Sequence, residues 1–100
     1  MKYGLSDDVL EKIILVFGKY QQIDEAILYG SRAKNTQKKG SDIDIALKGL
    51  DINLEIINKV TNDLEALPTP YTFDLAIFHK IDNQDLLEHI ERVGKVLYKK

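Results

Sequence analysis

The sequence predicts a small mixed β-sheet packed with helices, a two-layer fold of the α/β or α+β kind. Apolar residues at helical spacing alternate with short apolar or alternating runs suited to strands. Capping residues, glycines and prolines mark the joins between them. The resulting order is helix, strand, short helix, strand, helix, strand, helix, and a regular alternation of this sort implies layered helix-on-sheet packing.

Ser6 is placed to cap the first helix, with Asp7 and Asp8 in a first turn where negative charge suits the helix dipole. Val9, Leu10, Ile13, Ile14, Phe17 and Tyr20 then follow helical spacing and are expected to press against the sheet. Residues 21–25 lead into an apolar strand, Ala26 to Tyr29, which breaks at Gly30-Ser31. There the spacing predicts a short helix that Ser31 opens and Arg32 and Ala33 continue. Gly40 releases the chain into a second strand, Asp42 to Leu47. Asp51 or Asn53 can cap a second long helix reaching about Leu67, with Leu54, Ile57, Val60, Thr61, Leu64 and Leu67 on its buried stripe. Pro68 and Pro70 end it. A third strand follows over Tyr71 to Phe78, then a helix carrying Leu86, Leu87, Ile90 and Val93, with Gly94 at its end. Val96-Leu97-Tyr98 can add a last short strand.

Length and charge narrow the function. The chain has 100 residues, 44% of them hydrophobic, enough for one modest core and one domain spanning 1–100. A formal charge of −2 argues against the broad basic surface that grips extended nucleic acid. With no cysteine there is neither disulfide nor thiolate metal site. Neither a leader pattern nor an apolar run of membrane-spanning length is present, so the expected location is the cytoplasm.

The chemistry concentrates in the second strand. Side chains alternate along a strand, so Asp42, Asp44 and Ala46 share one face and Ile43, Ile45 and Leu47 the other. Carboxylates two residues apart, roughly 6.6 Å along the strand, can converge on divalent cations. Magnesium suits such a pair, because it prefers one or two carboxylates plus phosphate oxygens. The same alternation also describes a half-buried strand with one solvated face. Gly30-Ser31 adds the second half of a site: glycine permits a sharp turn and close ligand approach, and unpaired N–H groups at a helix start hold phosphate. Arg32, beside that turn, is a candidate phosphate contact. Lys38 and Lys39 read as a solvated loop. Asp74 is the one acid in an otherwise coverable strand, where burial requires a partner or a metal; a solvated edge strand is the alternative. His89, between Glu88 and Glu91, reads as an exposed or half-exposed helix residue, and neither it nor His79 is assigned a role. The five tyrosines read as packing and rim residues.

Gly30-Ser31, ten residues, then Asp42-x-Asp44 resembles the signature of the DNA polymerase beta nucleotidyltransferase superfamily. Gly30-Ser31-Arg32-Ala33 with Ser41-Asp42-Ile43-Asp44 is most similar to its minimal nucleotidyltransferase (MNT) branch, and the resemblance covers nearly the whole chain. Lys34-Asn35 stands where the family often has arginine and glycine. The resemblance implies an α+β fold and ATP as donor, with its phosphates on Gly30, Ser31 and Arg32. Two Mg²⁺ ions on Asp42 and Asp44 and a third carboxylate at Asp74 are also implied. It further implies that AMP passes to a tyrosine of a helical HEPN toxin, with the MNT chain as antitoxin. Two other functions fit the same residues. One is a non-catalytic nucleotide-binding subunit that neutralises its partner by contact, and the other a small-molecule nucleotidyltransferase working as a homodimer.

Overall fold

The computed structural model describes residues 1–100 as three α-helices on a four-stranded mixed sheet. The chain runs α1 (Asp7–Gly18), β1 (Glu25–Tyr29), β2 (Ile43–Lys48), α2 (Leu54–Glu65), β3 (Phe73–Ile77), a 3₁₀ turn (Phe78–Lys80), α3 (Gln84–Val93) and β4 (Lys95–Lys99). Strand order is β3-β2-β1-β4. β1 pairs antiparallel with both β2 and β4, whereas β2 and β3, joined through α2, run parallel. None of the helices is long and apolar enough to cross a membrane.

Each helix begins at the kind of cap the sequence offers. Ser6, Asn53 and Asn83 accept from the backbone N–H three residues on, satisfying donors that have no partner within the helix. Those starts fix the helical phase and so decide which residues are buried. On α1 the buried stripe is Leu10, Ile13, Val16 and Phe17. On α2 it is Ile56, Val60 and Leu64, four residues apart, so Ile56 is buried and Leu54 stands 70% exposed, contrary to the stripe expected from the sequence. The cause is the cap: with Asn53 at the entry, Leu54 is the first helical residue and lies clear of the sheet.

The strand alternation sorts the two faces of the sheet. Ile43, Ile45 and Leu47, with Phe73 and Ile77, join α1 and α2 in the main core. Ala46 faces the other way, with Ile27, Tyr29 and Ile90 of α3. The two-layer α+β architecture therefore holds, and α3 adds a partial cover on the opposite face. One expected element is absent. Residues 31–35 form an irregular turn and no helix, closed by bonds from Lys34 N–H to the Gly30 carbonyl (3.2 Å) and from Thr36 N–H to the Ser31 carbonyl (2.8 Å). A single turn fixes several dihedrals for few bonds, and the chain leaves it through Asn35 at φ +60°, a conformation asparagine tolerates.

Ile45 is fully buried at the centre of the main core. Ile45→Ala is expected to cost about 2–5 kcal/mol of unfolding free energy, read from the shift in urea midpoint.

Candidate active site

Parallel pairing of β2 with β3 sets Asp44 directly beside Asp74. Their side chains share a face, the one that carries Ala46 and Tyr29, and Asp42 lies on the same side two residues before Asp44. Asp42 and Asp74 are exposed, and Asp44 is half-buried. Partial burial holds the Asp44 carboxyl above the usual carboxylate range, and the charges of Asp74 and then Asp42 push it further; the Arg32 guanidinium opposes them. Tyr29, opposite Asp44 on β1, is pushed up to about 12 by burial first and then by Asp44 and Asp74. Three acids thus share one open face, and the charges of two act on the third.

The glycine turn abuts this cluster. Gly30 has φ +76°, and a Cβ there would stand 2.5 Å from Asp44 Oδ2, so only glycine fits. Its N–H donates to His89 Nε2 of α3 at 2.9 Å. The following N–H groups, those of Ser31, Arg32 and Ala33, take no part in the backbone hydrogen bonds of the turn. Successive N–H groups without partners are the kind of donor set that can form an anion-holding concavity, and the turn leaves three such groups where a helix start was expected.

The Arg32 side chain turns inward and is held by protein carbonyls. It is 3% exposed; its Nη1 donates to the Tyr3 carbonyl (2.9 Å), and its Nε (3.3 Å) and Nη2 (2.9 Å) donate to the Ser41 carbonyl. Its guanidinium also lies 5.0 Å from the centre of the Tyr71 ring. Arg32 therefore ties the N-terminal turn to the residue that precedes Asp42. Lys38 and Lys39 are exposed in the loop, as the sequence suggests.

Two contacts escaped the sequence reading. The Thr72 hydroxyl donates to Asp42 Oδ1, while the Thr72 carbonyl accepts from Ile43 N–H at 2.9 Å. Thr72 thus orients the carboxylate through the start of the parallel pairing. Its only signal was its place two residues before Asp74. His89 gave none, because its partner is 59 residues away in sequence.

The donors suit a hard cation, being carboxylate oxygens without sulfur. As placed, no three acidic or imidazole groups close on one point. By themselves, then, these side chains do not form a closed protein cage for an ion.

Residues 11–100 match the family described as Polymerase beta, Nucleotidyltransferase. The chain belongs to this nucleotidyltransferase family. A Methanocaldococcus jannaschii protein named as a candidate protein adenylyltransferase is 40% identical over 80 residues, covering 70% of this chain and 66% of that protein. The family fold recurs in a chain from the crystal structure of a toxin-antitoxin with AMP-PNP, with TM-score 0.75 and 26% identity over 91% of this chain and 73% of that one. A chain from the tri-AMPylated Shewanella oneidensis HEPN toxin in complex with MNT antitoxin gives TM-score 0.70 at 21% identity, covering 96% of this chain and 74% of that one, and bears on the fold alone.

Raising a carboxyl's native pKa means the folded state binds more protons than the unfolded one, so stability falls as pH rises through that range. Without divalent cations, the Asp44 contribution to thermal stability should fall as pH rises above the ordinary carboxylate value of 3.8. Asp44→Asn should flatten this dependence and melt a few degrees higher at neutral pH, as measured by thermal denaturation across pH. Thr72→Val should weaken metal-dependent activity by roughly 10-fold, the scale for losing a group that orients a ligand, and Thr72→Ser should restore it. Titrating initial rates with MgCl₂ tests this.

Proposed function

We propose that this chain is a magnesium-dependent adenylyltransferase that moves AMP from ATP to a hydroxyl of a partner protein. We take that partner to be a helical HEPN toxin and the acceptor a tyrosine, so that the chain acts as its antitoxin. The observation that carries this reading is the packing of Gly30 against Asp44, which puts a phosphate-holding turn beside three carboxylates. The likeness to a named candidate protein adenylyltransferase, and the fold shared with a toxin-antitoxin chain in a structure with AMP-PNP, support it.

The N–H groups of Ser31 to Ala33 and the Ser31 hydroxyl hold the triphosphate and aim its α-phosphorus at the acid face. Asp42 and Asp44 are the residues to hold magnesium, with Asp74 on the acceptor side. When bound, the ions stabilise negative charge on the attacking and leaving oxygens. Asp74 accepts the proton of the acceptor hydroxyl as its oxygen bonds to the α-phosphorus. The α-phosphorus bond to the bridging oxygen breaks, and pyrophosphate leaves. β3 is an edge strand and Asp74 is exposed on it, so an acceptor as large as a folded protein has access to that carboxylate.

The test is transfer of label from α-labelled ATP, with magnesium, to the protein encoded by the adjacent gene. Label should appear on a tyrosine of that protein. Transfer should fall by more than the roughly 10–100-fold typical of losing an outer-sphere partner when Asp42→Asn and Asp44→Asn are combined. If the two proteins associate equally well with either form yet no label moves, the catalytic reading fails for this pair, leaving a binding antitoxin or an enzyme with another acceptor.

A further inference from the structure

We propose that His89 is a positioning residue that sets the Gly30-Ser31 turn for phosphate binding. The inference rests on the nucleotide reading above and assigns a role to a residue with no place in the signature motif. Gly30 is held from two sides. Asp44 Oδ2 packs where a Cβ would stand, and His89 Nε2 accepts the Gly30 N–H at 2.9 Å. The two contacts come from different elements, β2 and α3.

The hydrogen bond defines the state of the imidazole. Nε2 accepts, so it carries no proton, and the ring's proton sits on Nδ1. The ring is steadied edge-on against Tyr29, with centroids 6.2 Å apart and planes at 81°. Tyr29 is itself buried beside Ile90, one residue along α3 from His89. α3 is anchored through Ile90, and His89 carries that anchorage to the backbone of the turn.

This has a consequence for substrate contact. With its N–H committed to His89, Gly30 contributes shape and no phosphate donor. The nucleotide's phosphate is left to the next three N–H groups, those of Ser31, Arg32 and Ala33, which have no partner in the turn. The bond restrains the plane of the peptide before Gly30, from which the chain turns into Ser31.

His89→Phe keeps a ring against Tyr29 and removes the acceptor; His89→Gln keeps an acceptor, its side-chain oxygen, and removes the ring. Both are compared with wild type for ATP binding by calorimetry in magnesium and for KM and kcat in label transfer. Losing one hydrogen bond to a positioned donor should weaken ATP binding and raise KM by about three- to ten-fold in His89→Phe, with a smaller change in kcat. His89→Gln should lie within about two-fold of wild type in both, even where its melting temperature is lower. Equal loss in both variants would make the ring's packing the cause and overturn the proposal. Tighter ATP binding in His89→Phe would also overturn it, because His89 would then be competing with phosphate for the Gly30 N–H. A wild type that binds ATP but transfers nothing would defeat the adenylyltransferase reading, and the binding comparison would still judge His89.

Discussion

Three carboxylates held on one face of a small sheet repel one another, and the rest of the site is arranged around that repulsion. Asp44 and Asp74 are neighbours because β2 and β3 pair in parallel register, and the main-chain bonds of that pairing keep them together. Asp44 is partly desolvated, and Asp42 and Asp74 add like charge, so its carboxyl takes up a proton more readily than a free one. A divalent cation, were it held there, would relieve this conflict and stabilise the fold by binding. Function and stability therefore pull against each other at Asp44, a common condition of active sites.

The fold leaves this end of the sheet open. α1 and α2 cover one face completely, from Phe17 to Leu64, and carry most of the buried apolar surface. α3 is short, and its buried anchor is the single residue Ile90, packed with Ile27, Tyr29 and Ala46. It packs on β1 and reaches the glycine turn through His89, while Asp42 and Asp74 stay exposed.

Around the acids, side chains far apart in sequence convert loops into fixed geometry. Arg32 illustrates the point. A guanidinium beside a glycine turn reads as a phosphate ligand, yet it is buried and holds the carbonyls of Tyr3 and Ser41. It organises the loop leading to Asp42, and its charge still reaches Asp44. A buried cation with carbonyl partners is costly to disturb, since breaking those bonds leaves an unpaired charge inside the protein. Thr72 acts on Asp42 from the other side, through the start of β3. The residues bearing the charge are thus distinct from those that aim it.

Sequence alone determined what depends on neighbours along the chain. Alternation assigned Asp42 and Asp44 to one face and Ile43, Ile45 and Leu47 to the core, because a strand has a period of two whatever surrounds it. Caps and helical spacing located α1, α2 and α3, and a glycine between a strand and a serine marked the turn. Tertiary structure decided what depends on register and packing. Residues 31–35 gained an irregular turn in place of a helix, since Arg32 is drawn inward by carbonyls that only the folded chain supplies. Cap phase moved burial on α2 from Leu54 to Ile56. The strand order made β3 an edge and placed its exposed Asp74 beside Asp44, a neighbour that no local pattern could name. Thr72 and His89 entered the site for the same reason: their contacts close over 30 and 59 residues, and no local pattern encodes a pairing at that distance.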